Sequence, residues 1–172
     1  MHTTIKKLVL MAILTAIALI IFIIEAQIPL PVPIPGVKLG LANAVTLFAL
    51  FCTEQKGSSF VLFKTKDAFF ILLCRILLGA LFTGRLVAFA YSLAGGLLAF
   101  AAQVVMKRFV SQKQIWVCGA VGAVLHNIGQ ILAAMLITGT PAIAAYLPVL
   151  VIAGVITGAA TGIIAQTVWG RF

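Results

Sequence analysis

The stretch PLPVPIPGVKLGLANAVTLFAL, residues 29–50, decides how this chain folds. Its first half carries prolines at 29, 31, 33 and 35. Proline fixes φ and biases the residue before it toward extended geometry, so residues 29–37 read as a stiff, polyproline-like lid. Its second half turns apolar and periodic from Leu39 onward, with Lys38 at the entrance and Asn43 about one turn in. A rigid loop that runs from one apolar helix into another is the pattern of a polytopic membrane protein.

Composition leads to the same class. The 172 residues are 63% hydrophobic and 9% charged, with a mean hydropathy of +1.25. A soluble domain carries about 25% charged residues, so too few charges exist to cover a water-facing surface. One domain, residues 1–172, fits this length. Twelve Lys and Arg against three acids give a net charge of +9. The bases sit in short segments between apolar runs, with no basic stripe interleaved with aromatics, so nucleic acid is not the expected partner. They match instead the loops that set membrane topology and meet anionic headgroups.

Outward from the lid, six apolar runs predict an all-α fold with six transmembrane helices at about 8–28, 39–52, 68–82, 86–106, 115–137 and 142–168. The first run is too long for the core of a cleaved leader and lacks a clear cleavage site, so it is read as a retained span. Residues 53–66 form a polar connection whose FVLF patch is too short to span. With the N-terminus inside, nine bases fall on the cytoplasmic side, Lys38 and Arg85 fall outside, and Arg75 lies within the bilayer. The positive-inside rule then places both termini in the cytoplasm. The three cysteines, Cys52, Cys74 and Cys118, show no CxxC spacing and read as small buried hydrophobes.

Small residues recur at every fourth position. Gly154, Gly158 and Gly162 on the sixth run, and Gly119 with Ala123 on the fifth, predict close helix packing. Ala12 and Ala16 show the same spacing on the first run. There, internal packing and docking to another protein both fit.

Polar groups within the membrane are costly and usually face a cavity or a partner. Lys38, Asn43, Arg75, His126, Asn127 and Gln130 are the candidates for binding a small molecule, with Glu25, Tyr91 and Ser92 nearby. The structural alternative has Glu25 paired with Arg75 or Lys38 and the amides tying helices together. Gln103 reads as structural. Bases outnumber acids in the outer half, and a helix beginning at Leu39 beside Lys38 would favour an anion. Catalysis has little material to work with. Glu25, Glu54 and Asp67 are the only acids and are far apart, whereas a prenyl diphosphate synthase needs clustered aspartates to hold Mg²⁺. No phosphate-binding loop, GxSxG or HExxH is present, and no cofactor or metal site is expected.

The segments PGVKLGLANAVTL (35–47), YSLAGGLLA (91–99), GAVLHNIGQ (122–130) and GTPAIAAYLPVL (139–150) carry a resemblance over nearly the whole chain. It resembles the bacterial membrane family called Gx transporter or heptaprenyl diphosphate synthase component I, itself similar to the substrate-binding S-components of energy-coupling factor (ECF) transporters. The resemblance implies a bacterial cytoplasmic membrane protein that captures a ligand near the outer face beneath its first loop. It implies partners as well: a transmembrane coupling subunit and ATPase subunits, with Ala12 and Ala16 as the docking motif and the six polar residues lining the pocket. The length of the 53–66 connection departs from that pattern. The enzyme name implies another role, a non-catalytic helper in polyprenyl diphosphate or quinone synthesis. A membrane partner of a quinone- or flavin-dependent electron-transfer system is a third reading.

Overall fold

The computed structural model describes residues 2–28, 37–52 and 63–170, with side chains from Ile5 onward. The lid at 29–36, most of the polar connection (53–62) and Arg171 lie outside the described residues. Those described form six α-helices: α1 His2–Glu25, α2 Asn43–Phe51, α3 Thr65–Thr83, α4 Leu86–Met106, α5 Ile115–Thr138 and α6 Leu147–Trp169. A short 3-10 helix precedes α5 (Gln112–Gln114) and another precedes α6 (Pro141–Tyr146). The segments Ile5–Glu25, Leu86–Met106, Gln112–Thr138 and Pro141–Trp169 are long and apolar enough to cross a membrane. Ile13, Ile20, Leu81, Leu136 and Ile156 are among the large apolar side chains turned outward, as lipid-facing helices require.

Most expected boundaries hold within a few residues, and the exceptions have local causes. The span expected at 68–82 begins at Thr65, because the Asp67 carboxylate accepts the Lys64 N–H at 2.5 Å and holds the first turn. Although α3 has 19 residues, Lys66, Asp67 and Arg75 keep it out of the apolar set. The span expected from residue 142 opens as a 3-10 turn, and α6 starts at Leu147 with Pro148 in its first turn, where no N–H is needed. The largest correction concerns α2. A helix starting at Leu39 is not what forms; residues 37–40 are non-helical, a turn follows, and the helix begins at Asn43. Nine residues rise only about 13 Å, under half of a ~30 Å hydrocarbon core.

Glycines set the packing. A Cβ on Gly119 would lie 2.4 Å from the Gly158 carbonyl oxygen and 2.9 Å from Gly162 Cα. One on Gly162 would lie 2.5 Å from Trp116 Cα. The α5–α6 seam is therefore backbone against backbone, as the four-residue repeat predicts, and it is the most extensive helix contact. Gly129 makes a comparable approach to α4 at Ala94 and Gly95. Gln103 lies buried against Gly122, in keeping with a structural role. By contrast α1 touches mainly α3 and, less, α2. At one end Lys7 pairs with Asp67 at 2.6 Å, the sole ion pair among the described residues, and the Lys107 ammonium donates to the Leu50 carbonyl at 2.7 Å. Cys52 and Cys118 are buried free thiols; Cys74 is exposed on α3, contrary to the expectation for all three.

Candidate functional site: a buried polar cluster at the start of α2

Because α2 is short, the backbone before it crosses the helix bundle without helical hydrogen bonds. Such backbone is tolerated at membrane depth only where protein groups satisfy it. Gln130 on α5 does so from one side: its Oε1 accepts the Lys38 N–H at 2.8 Å and its Nε2 donates to the Lys38 carbonyl at 3.0 Å. From the other side Glu25, the last residue of α1, accepts the Gly40 N–H through Oε1. Gly40 sits at φ +81, and a Cβ there would lie 2.8 Å from the His126 ring. Both the left-handed backbone and the contact demand glycine. The chain then turns through Asn43 N–H to Gly40 carbonyl at 2.9 Å and enters α2.

This entry places Asn43 at the first turn of α2, in the middle of a polar chain. Its Nδ2 lies 3.0 Å from His126 Nδ1, and its Oδ1 accepts from Arg75 Nη2 at 3.1 Å. Gln130 Nε2 also contacts His126 Nε2. Phe22 closes one side, with Lys38 Nζ 3.1 Å from its ring centroid and Arg75 Cζ 5.9 Å away, so one aromatic face serves two cations. Room for the group comes from α4, where Gly95 abuts His126 and Gly96 faces Arg75. Lys38, Asn43, Arg75, His126 and Gln130 thus converge, and all are buried, Arg75 to 2% exposure. Asn127 does not join them. Its Nδ2 donates to the Leu150 carbonyl at 2.6 Å and lies over Gly154, tying α5 to α6. Glu25 is engaged with Gly40 rather than ion-paired to either cation, so the expected structural pairing does not form.

The cluster holds more donors than acceptors. The Lys38 backbone fixes the orientation of Gln130, so Gln130 Nε2 presents a donor to His126 Nε2. That ring nitrogen must then accept, leaving the proton on Nδ1. Asn43, oriented by Arg75, presents its own donor to the same Nδ1. Flipping Asn43 would only move the conflict to the guanidinium. Arg75 Nε has no hydrogen-bond partner among the described residues, although a guanidinium offers five N–H donors.

Thr46 Oγ1 is also buried without a partner among the described residues, one turn along α2 from Asn43. The sequence reading passed over it, since a lone threonine in an apolar helix usually bonds its own backbone. One turn before Gly95, Tyr91 lines a cleft of about 750 Å³ between the N-terminal end of α4 and the C-terminal end of α5, with exposed Arg85 at its rim. No group of three or more His, Cys, Asp or Glu that could hold a metal occurs among the described residues.

Fold and site together define an all-helical integral membrane protein with a buried, cation-bearing polar cluster. The family described as heptaprenyl diphosphate synthase component I matches residues 14–168, and the chain belongs to that family. No curated protein and no solved structure matches it.

Proposed function

We propose that this chain is a non-catalytic membrane subunit that binds a small anionic or amphipathic metabolite at the Arg75 cluster, in the outer half of a bacterial cytoplasmic membrane. The observation that carries the reading is the buried Arg75 guanidinium, whose Nε has no hydrogen-bond partner and which makes no contact ion pair among the described residues. Such a group is costly to bury and usually marks a ligand or ion pathway in a membrane protein. Lys38, Asn43, Arg75 and His126 are the contacts offered to the ligand, with Gln130 and Glu25 holding the backbone that presents them. In this reading the lysine-rich ends of α1, α3 and α4 face the cytoplasm, α2 and α3 complete six membrane-embedded helices, and both termini are cytoplasmic. Catalysis is assigned elsewhere because the three acids of the chain are dispersed.

The family description favours a soluble prenyl diphosphate synthase component as partner, with this subunit presenting or sequestering a lipid-like substrate or product. A second reading, an S-component that docks on a coupling subunit and ATPases of an ECF transporter, has one observation in its favour. Ala12 and Ala16 face outward, away from the bundle, so their spacing serves no internal packing.

The experiment is purification from the native membrane in mild detergent, with mass spectrometry of co-purifying proteins, followed by the same purification after Ala12 and Ala16 are both replaced by Leu. A prenyl synthase retained without ATPases supports the first reading. A coupling subunit and ATPases, lost on the double substitution, support the second. Purification of the chain with no partner at all would overturn both assignments of partner.

A further inference from the structure

The cleft at Tyr91 lies outside the Arg75 cluster, and its chemistry stands independently of the reading above. Gly84 ends α3 in the left-handed conformation at φ +62, and Arg85 then forms the N-cap of α4 without a side-chain capping bond. The Phe89 N–H is the first in α4 to reach a helical acceptor, the Arg85 carbonyl at 3.0 Å, which leaves the amides of Leu86, Val87 and Ala88 without one. Those three residues line the cleft, so the positive end of the α4 dipole lies at its wall. Arg85 adds a full charge there; it is exposed and makes no ion pair among the described residues. No residue lining the cleft is acidic. Tyr91 supplies a separate sign. It is only 2% exposed, yet its hydroxyl bonds to no described residue, whereas a buried tyrosine usually finds a partner. On the facing wall the Thr138 hydroxyl donates to the Ala134 carbonyl at 2.8 Å and the Thr138 carbonyl accepts from the Thr140 hydroxyl at 3.2 Å, so the polar groups of that side are already occupied.

We propose that this cleft seats an anionic phospholipid of the surrounding bilayer, with its phosphate at Arg85 and the first turn of α4 and the Tyr91 hydroxyl as a further donor. Depth favours a lipid over a soluble anion. Leu86–Met106 and Gln112–Thr138 are both long and apolar enough to cross a membrane, and the cleft lies between the start of one and the end of the other. Span ends fall at headgroup level, where a basic side chain meets anionic lipid. The walls agree, because Leu86, Val87 and Ile137 expose large apolar side chains at the cleft, in place to run beside an acyl chain. A free anion would leave those walls in water. About 750 Å³ is the size of a small-molecule pocket, enough for a headgroup and the upper part of one chain.

The test uses the full-length chain in mild detergent, titrated with equal amounts of phosphatidylglycerol and phosphatidylcholine that carry the same acyl chains. Native mass spectrometry counts the lipid bound. Both heads carry a phosphate, but only phosphatidylglycerol is a net anion. The expected result is a preference for phosphatidylglycerol of about fivefold, which corresponds to about 1 kcal/mol for one interfacial arginine. Arg85→Gln erases that preference. Tyr91→Phe keeps the ring and lowers the binding of both lipids by about threefold, since the phosphate is common to both. Lys113→Gln, exposed beside the opposite end of α5, changes neither, and melting curves of the three variants report whether each is folded. Equal binding of the two lipids, a preference that survives Arg85→Gln, or an equal loss in Lys113→Gln would overturn the site in favour of general attraction to a basic protein. Displacement of the lipid by inorganic phosphate would overturn the lipid in favour of a soluble anion. A protein, a second copy of the chain included, that stays bound and is lost in Arg85→Gln would assign the cleft to that protein instead.

Discussion

Replacing Arg75 by Met separates a ligand site from a structural keystone, because the two readings predict opposite signs. The guanidinium is buried and donates to Asn43 Oδ1 at 3.1 Å, while its Nε finds no partner among the described residues. Exchanging such a buried ion for an apolar side chain of similar length is commonly neutral or stabilising, by about 1–4 kcal/mol. Against this, Asn43 Oδ1 loses its donor, at a cost of about 1–3 kcal/mol when a buried acceptor is left unsatisfied. That cost falls toward the lower end here, because a freed Asn43 can turn its oxygen toward the proton on His126 Nδ1. The net expectation is a protein between about 1 kcal/mol less stable and about 3 kcal/mol more stable, with ligand binding abolished. Thermal unfolding in detergent, followed through the fluorescence of Trp116 and Trp169, measures the first; ligand-induced stabilisation measures the second. A loss of more than about 3 kcal/mol, the range seen when one partner of a true buried pair is removed, would refute the reasoning. Undiminished binding would refute it as well.

Two further outcomes are expected. Gly158→Ala places a Cβ 2.5 Å from the Gly119 carbonyl oxygen and 2.7 Å from Ala123 Cβ, so α5 and α6 must part by about 1 Å, for about 1–3 kcal/mol of lost stability; Gly170→Ala, whose nearest contact is 3.4 Å, serves as the control that leaves the melting temperature unchanged. Lys38→Met removes the cation held against the Phe22 ring, so anion affinity falls by about tenfold. Ligand-induced stabilisation of the variant checks this, and undiminished affinity would remove Lys38 from the site.

How far the sequence carried the structure depended on where the controlling contacts lie. The α5–α6 seam was legible because glycine at every fourth position is a local pattern with one steric meaning. The bounds of α4 were legible for a similar reason, since Gly84 and the basic Lys107–Arg108 pair flank an uninterrupted apolar run. The start of α2 was not. Leu39 to Ala42 are mostly apolar helix positions, and the groups that hold the backbone at Lys38 and Gly40 outside the helix, Gln130 and Glu25, lie on other helices. The polar cluster could be gathered because polar residues are scarce here, and each must find company. Its membership could not be settled that way. His126 and Asn127 are adjacent in sequence but point about 100° apart on the helix, and only the neighbouring helices decide that one meets Asn43 and the other meets Leu150. Gln130 was read as a ligand contact, whereas its amide is largely committed to the Lys38 backbone, a need invisible until α2 proved to be short.

The glycine seam has a mechanical consequence. Helices that meet backbone to backbone along their length move as one piece, and α5 with α6 forms such a frame, with α4 fitted to it at Gly129. The other side of the cluster belongs to helices with far less mutual contact: Phe22 and Glu25 on α1, Asn43 on α2 and Arg75 on α3. The cluster therefore straddles a joint between a stiff part and a compliant one. In the proposed binding role, a molecule held by Arg75 on one side and His126 on the other would act as a bolt across that joint.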